Sequence, residues 1–208
     1  MTSISETVVD LARSRHPAVA LAVADAALRI DRSLTVGHLV AVNEARASSR
    51  GRRLARWVLA RATPLAETAL ESVSRAAIEW LGFEEPSLQW SVRHDDGSVD
   101  RADFRWQSCD AVGEADGRVK YSGRFGDPGA VYVAEKRRED RMRRRVRGYA
   151  RWGWREVSVT HELAAILQDA GLRRGRPEQA PPLFSLRGAI NGHRTPHIHD
   201  HPASPSTV

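Results

Sequence analysis

The chemistry-bearing residues of this chain are concentrated in two short runs, Val99-Asp-Arg-Ala-Asp-Phe-Arg-Trp106 and Asp110-Ala-Val-Gly-Glu-Ala-Asp-Gly-Arg-Val-Lys-Tyr121. Asp103 falls near the end of one apparent strand, and Glu114 and Asp116 close the next. Side chains alternate along a strand, so Glu114 and Asp116 point the same way, and pairing of the two strands lets Asp103 converge on them. Three carboxylates on one sheet face suit a hard divalent cation, Mg²⁺ or Mn²⁺, better than a folding core. The leading expectation is a metal-dependent phosphodiesterase. The plain alternative is surface carboxylates that solvate the sheet ends.

Lys120 and Lys136 are the chain's two lysines; the other 30 basic residues are arginine. GC-rich coding accounts for such a bias. Both lysines nevertheless bracket the acidic motif, and an adjustable ammonium near an attacked phosphate is chemically useful where arginine is not.

The net charge of +6 is unevenly spread. Residues 136–155 hold ten Lys/Arg against Glu139 and Asp140, a local +8 that leaves −2 for the rest. A concentrated basic run is the footprint of a surface that meets phosphates; a solvated helix face is the alternative. A chain of 208 residues accommodates one ordinary domain with appendages. No run approaches the ~18 apolar residues of a membrane span. The start, Met-Thr-Ser-Ile-Ser-Glu-Thr, lacks the pattern of a signal peptide. The single cysteine, Cys109, excludes an internal disulfide framework and points to a reducing cytoplasm. It reads as a small strand residue with no chemistry.

The elements that position these residues follow from periodicity. Residues 6–31 read as helix, split by Pro17. Thr35 caps a short helix through Val42, and residues 52–61 continue the helical pattern. Residues 1–62 thus form a helical N-terminal segment with no catalytic constellation. The next helix spans about 69–81. Thr68-Ala-Leu-Glu71 fits a capping box, giving Glu71 a purely structural role that coexists with a possible ligand role. Leu88, Trp90 and Val92 alternate as a strand, and Asp95-Asp96-Gly97 is a hairpin turn. The return strand places Ala102, Phe104 and Trp106 on one face, and Val99, Arg101, Asp103 and Arg105 on the other. A third strand covers 111–116, followed by a loop through Gly126. Asp127-Pro128 starts a helix lasting to Arg147. Residues 149–152 form a fourth strand, and Thr160 caps a last helix over 161–170. This order predicts an α/β layer. From residue 173 to 208 the composition turns to Pro, Arg, Ser and His, which predicts a disordered tail. Its His193, His197, His199 and His201 have metal-ligand character but no rigid support.

Glu71 on a helix, Val99-Asp-Arg-Ala-Asp-Phe, Gly113-Glu-Ala-Asp-Gly-Arg-Val-Lys-Tyr, Glu135-Lys-Arg-Arg-Glu-Asp, then a Gly-aromatic strand ending Arg151-Trp152, occur in that order. Together they resemble the family related to very-short-patch-repair endonucleases, within the PD-(D/E)xK restriction-endonuclease-like superfamily, over about residues 65–160. The segments Thr7-Val-Val-Asp-Leu-Ala-Arg and Ala24-Asp-Ala-Ala-Leu resemble the middle helices of actinobacterial type IV abortive-infection antitoxin-like regulators. Those carry a winged helix ahead of this point, so the chain resembles a member shortened at its N-terminus.

The resemblance implies a restriction-endonuclease-like mixed central sheet flanked by helices over residues 63–172. It puts Asp103 and Glu114 at the two strand acids and Glu71 at the helix acid completing a Mg²⁺ (or Mn²⁺) shell. Asp116 falls where the superfamily usually has lysine, so Lys120 or Lys136 must supply the positive charge, or the site does not cut DNA. Arg137, Arg138, Arg141, Arg144 and Arg145, with Trp152 or Trp154 nearby, would hold the DNA backbone. Three functions compete: a Mg²⁺-dependent endodeoxyribonuclease; a catalytically silent nuclease fold that binds DNA or a protein partner as a regulator or antitoxin-like component of a defence system; and a truncated gene remnant.

Overall fold

A computed structural model describes residues 2–94, 97–117 and 128–192. Asp95, Asp96, Lys120, the loop expected over 118–126, Asp127 and the four tail histidines lie outside the described residues.

The described chain opens with the helices Ile4–Ser14 (α1), Pro17–Ile30 (α2), Val36–Ala45 (α3) and Arg52–Leu59 (α4). Ser3 and Glu6 form a reciprocal capping box on α1, and Pro17 opens α2 at its first position, where its missing N–H costs nothing. Thr35 caps α3 through the His38 N–H at 3.1 Å. Ala69–Trp80 (α5) follows, and ten of its twelve residues are buried. A helix enclosed on all sides must satisfy its polar side chains internally. Accordingly, the Asp25 carboxylate of α2 accepts from Ser72 Oγ at 2.7 Å and Arg75 Nη1 at 3.2 Å. Ser74 accepts the Trp152 indole N–H at 2.8 Å.

Ser87–Arg93 (β1) and Val99–Trp106 (β2) pair antiparallel, with Ala111–Ala115 (β3) antiparallel to β2. Gly148–Trp152 (β4) lies parallel to β3, so the sheet is mixed, in the order β1-β2-β3-β4. A parallel neighbour demands a long crossover, which contains Pro128–Arg145 (α6). Trp154–Ser158 (α7), Thr160–Asp169 (α8) and Ala180–Asn191 (α9) complete the described residues. Helix α8 starts at Thr160 with Val159 at its N-cap, one residue earlier than the capping pattern predicts. The architecture is α/β, with a mixed sheet packed by helices.

A large core joins α1, α2, α4 and α5 to Phe104, Trp106 and Trp152 of the sheet, so the helical segment 1–62 and the α/β region share one apolar interior. Gly113 makes this packing possible, since a Cβ there would stand 2.6 Å from the Trp152 ring. A small second cluster, Ala102, Val112 and Met142, lies under α6.

Two expectations are corrected. The face assignment along β2 fails at Asp103. Paired Leu88 and Phe104 pack on the large core, but the next pair, Trp90 and Ala102, packs with Met142 beneath α6. The alternation slips between these pairs, at Gln89, whose φ of +55° is rare for a residue with a side chain. The second correction concerns residues 173–192. The Gln179 N–H donates to Trp80 O at 2.7 Å and the Gly175 N–H to Gly82 O at 2.9 Å, and Leu183 and Leu186 of α9 are buried. Two leucines three apart behind Pro181 and Pro182 are too short a pattern to stand out from the surrounding composition.

Candidate functional site: an acidic sheet face closed by arginines

The strand acids sit where the β2–β3 pairing stops and β3 and β4 end. Register places Asp103 beyond the Phe104–Gly113 pair, alongside Glu114. The Asp103 carboxylate accepts the Ala115 N–H at 2.9 Å, continuing the ladder with a side-chain oxygen where the backbone pairing stops. Glu114 is buried, and both its oxygens are held by one guanidinium: Arg138 Nη1 to Oε1 at 2.7 Å and Nη2 to Oε2 at 2.9 Å. Arg138 also donates to Glu135 Oε1 at 2.8 Å and Oε2 at 3.0 Å, and to the Arg101 carbonyl at 3.1 Å. Hydrogen bonding to Glu135, then to Glu114, raises the Arg138 guanidinium above its ordinary value against the opposing effect of burial.

Asp116 pairs with Arg151 at 2.9 Å, and Arg151 reaches Glu135 at 3.4 Å and Glu139 at 2.9 Å. Burial pushes Glu139 up, but the Arg143 hydrogen bond and charge, with Arg151, outweigh it and hold the carboxyl below its usual range. Deeper along α6, Asp100 accepts from Arg141 Nε at 2.9 Å and Nη2 at 2.7 Å, and lies 2.9 Å from His94 Nε2. The Arg141 hydrogen bond holds the Asp100 carboxyl down despite its burial. Tyr149 lies beneath the Arg143 guanidinium, 4.2 Å from its ring centre. Burial, and then the Glu114 charge, push its phenol up.

Glu71 belongs elsewhere. Its Oε1 accepts from Thr68 Oγ1 at 2.9 Å, and its Oε2 from the Glu67 N–H at 2.9 Å and Gln89 Nε2 at 3.0 Å. It is a capping carboxylate that reaches one residue further back than a capping box requires, and it pins the reversed Gln89. The set Glu71, Asp103 and Glu114 therefore does not fit a shared cation. Their oxygens face different partners, and no group of three or more His, Cys, Asp or Glu among the described residues is arranged to hold a metal ion. Lys136 is exposed, with its ammonium 4.0 Å from Asp140.

The expected phosphate-binding residues divide. Arg138 and Arg141 turn inward onto acids. Arg137, Arg144 and Arg145 are exposed, with no ion pair among the described residues. Trp152 is 2% exposed and packs against Phe104 at a ring separation of 5.2 Å, so it is core, not a stacking platform. Trp154 is 39% exposed. Sequence reasoning missed Asp100, Glu135, Glu139 and Arg151 as members of this network. The Glu135–Arg138 and Glu139–Arg143 spacings are the local signals that point to the last turns of α6 as charge-paired.

Comparison with protein-family models, curated proteins and solved structures finds no match. Among the described residues, no helix is long and apolar enough to cross a membrane.

Proposed function

We propose that the protein binds nucleic acid through the outer face of α6 and does not hydrolyse it, acting as a regulator or antitoxin-like component. The observation that carries this reading is the two-bonded closure of Arg138 on Glu114. A strand acid whose two oxygens are both occupied by a guanidinium is a poor metal ligand, because binding a cation requires breaking a charge-assisted pair in a partly buried setting. The outward arginines Arg137, Arg144 and Arg145 remain available for phosphates, which sets affinity without reading sequence. The resemblance to a nuclease family supports DNA as the nucleic acid. The single cysteine supports a reducing, cytoplasmic setting.

The test is supercoiled plasmid incubated with the protein in Mg²⁺, Mn²⁺ or EDTA, read for both retardation and nicking. Retardation in all three without nicking is expected. Nicking that needs the metal supports the hydrolase instead, and absence of retardation at low salt removes the nucleic-acid reading.

A further inference from the structure

A second basic surface lies on the helical segment, far from α6 in sequence. Residues 46–61 contain six arginines and no acid. The turn between α3 and α4 is folded around guanidinium groups. Arg13 of α1 donates to Arg50 O at 3.0 Å, Asn43 O at 3.2 Å and Ser48 O, and Arg52 donates to Arg46 O at 2.6 Å. These carbonyls converge on cations, so Arg13 adds a positive charge that no carboxylate neutralises. Gly51 is compelled by the same closeness: at φ +72°, a Cβ there would stand 2.0 Å from the Arg13 carbonyl. Its helix α4 then carries Arg52 and Arg53 in a first turn with no acid, against the sign the helix dipole favours.

Some of these charges are paired. Arg46 meets Asp10 at 3.0 Å, Arg52 and Arg56 meet Glu44 at 4.0 and 2.6 Å, and Arg61 pairs with Glu79. Arg50 and Arg53 are exposed without an ion pair among the described residues. Arg13, Arg46, Ser48 and Arg50 line a groove of about 480 Å³, with Asp10, paired to Arg46, as its one acid.

We infer that this turn, centred on Arg50 and Arg53 beside the Arg13 groove, is a second phosphate-contacting surface for nucleic acid. The inference rests on the reading of α6 only for the class of partner. An anionic membrane fits less well, because a basic surface that lies on lipid sets apolar side chains beside its charges. Here the exposed neighbours are Ala47, Ser48 and Ser49, and the apolar side of α4, Ala55, Val58 and Leu59, is buried in the core.

The experiment measures binding of a labelled DNA duplex by fluorescence anisotropy across a salt series. It compares wild type, a double Arg50→Ser, Arg53→Ser variant and a triple Arg137→Ser, Arg144→Ser, Arg145→Ser variant, with phosphatidylserine-containing vesicles as a separate probe. Each lost phosphate contact lowers the log–log salt slope by about 0.9. A drop of about 1.8 in the double variant is expected, with unchanged melting because both side chains are exposed. That drop without a change in the triple variant keeps this surface and overturns the α6 interface. An unchanged slope in the double variant, with a drop in the triple variant, overturns this surface and leaves the α6 reading intact. Vesicle binding that the double variant loses, with DNA binding unaltered, overturns the inference in favour of lipid. Wild type that binds no duplex at low salt overturns both.

Discussion

Arg138 reaches across from α6 and closes on Glu114 of β3 with two near-parallel hydrogen bonds of 2.7 and 2.9 Å. This one relationship converts what the sequence presents as a metal-ligating acid into an anchor for the crossover helix. Asp116, the other acid at the end of β3, is likewise paired with an arginine, Arg151, and Arg141 closes on Asp100, an acid outside the sequence motif.

Removing the acid has a sign that separates the two descriptions. In a cluster of mutually repelling carboxylates, Glu114→Gln relieves strain and raises stability. In the paired arrangement it leaves Arg138 short of a charge partner and lowers stability, by about 2 kcal/mol. Urea denaturation of the two proteins at neutral pH, compared at equal slope, reads the sign directly.

Acid stability is expected to depend on Asp100. Its folded carboxyl is held below the ordinary aspartate value of 3.8 by the Arg141 hydrogen bond. A depressed folded value contributes stability that is present above the unfolded value and is lost as pH falls through the folded one. Wild type should therefore lose stability below about pH 4, and Asp100→Asn should flatten that part of the curve. Denaturation midpoints collected from pH 6 downward check it, and parallel curves for the two proteins would remove Asp100 from the account.

Trp152→Ala is expected to cost about 3–5 kcal/mol, because a large buried ring leaves a cavity beside Phe104 and Gly113. The DNA affinity of the folded fraction should not change. Selective loss of affinity in a stably folded Trp152→Phe protein would instead restore Trp152 to the interface.

The Asp25–Arg75 pair ties α2 to α5, with Asp25 also accepting the Thr63 N–H at 2.7 Å. Asp25→Ala leaves a guanidinium that is 8% exposed with only Glu85 at 3.5 Å and the Arg61 carbonyl. It also strips the carboxylate acceptor from the buried Ser72 hydroxyl, and a loss of about 3 kcal/mol is expected. That is a large fraction of the stability of many domains, so poor soluble expression is the expected phenotype. A variant as stable as wild type would show that the pair contributes nothing.

Local signals in the sequence carried most of the elements. Pro17 divides α1 from α2, Thr68 opens α5, and the alternation around Trp90 marks β1. What was illegible depends on tertiary geometry. A left-handed Gln89 is enforced by contact with Glu71, 18 residues away, and no propensity announces it. Which arginines of α6 face the sheet depends on how the crossover rotates the helix, so Arg138 and Arg141 look identical to Arg137 and Arg144 in the run itself. Strand period alone marks the acids at Asp103, Glu114 and Asp116, but their partners lie on the crossover helix, 24 residues from Glu114, or on a neighbouring strand. The leucines of α9 had too few apolar companions to outweigh the prolines around them.

On the function proposed above, the sheet acids are neutralised by arginines and not by a metal ion. The most direct measurement is the melting temperature of wild type with EDTA and with Mg²⁺ or Mn²⁺ at about 10 mM. A shared cation site stabilises by RT ln(1 + [M]/Kd), which is about 2.7 kcal/mol when the metal is at one hundred times Kd. No shift is expected with either metal, in wild type and in Glu114→Gln alike. A rise in wild type that Glu114→Gln abolishes would contradict this.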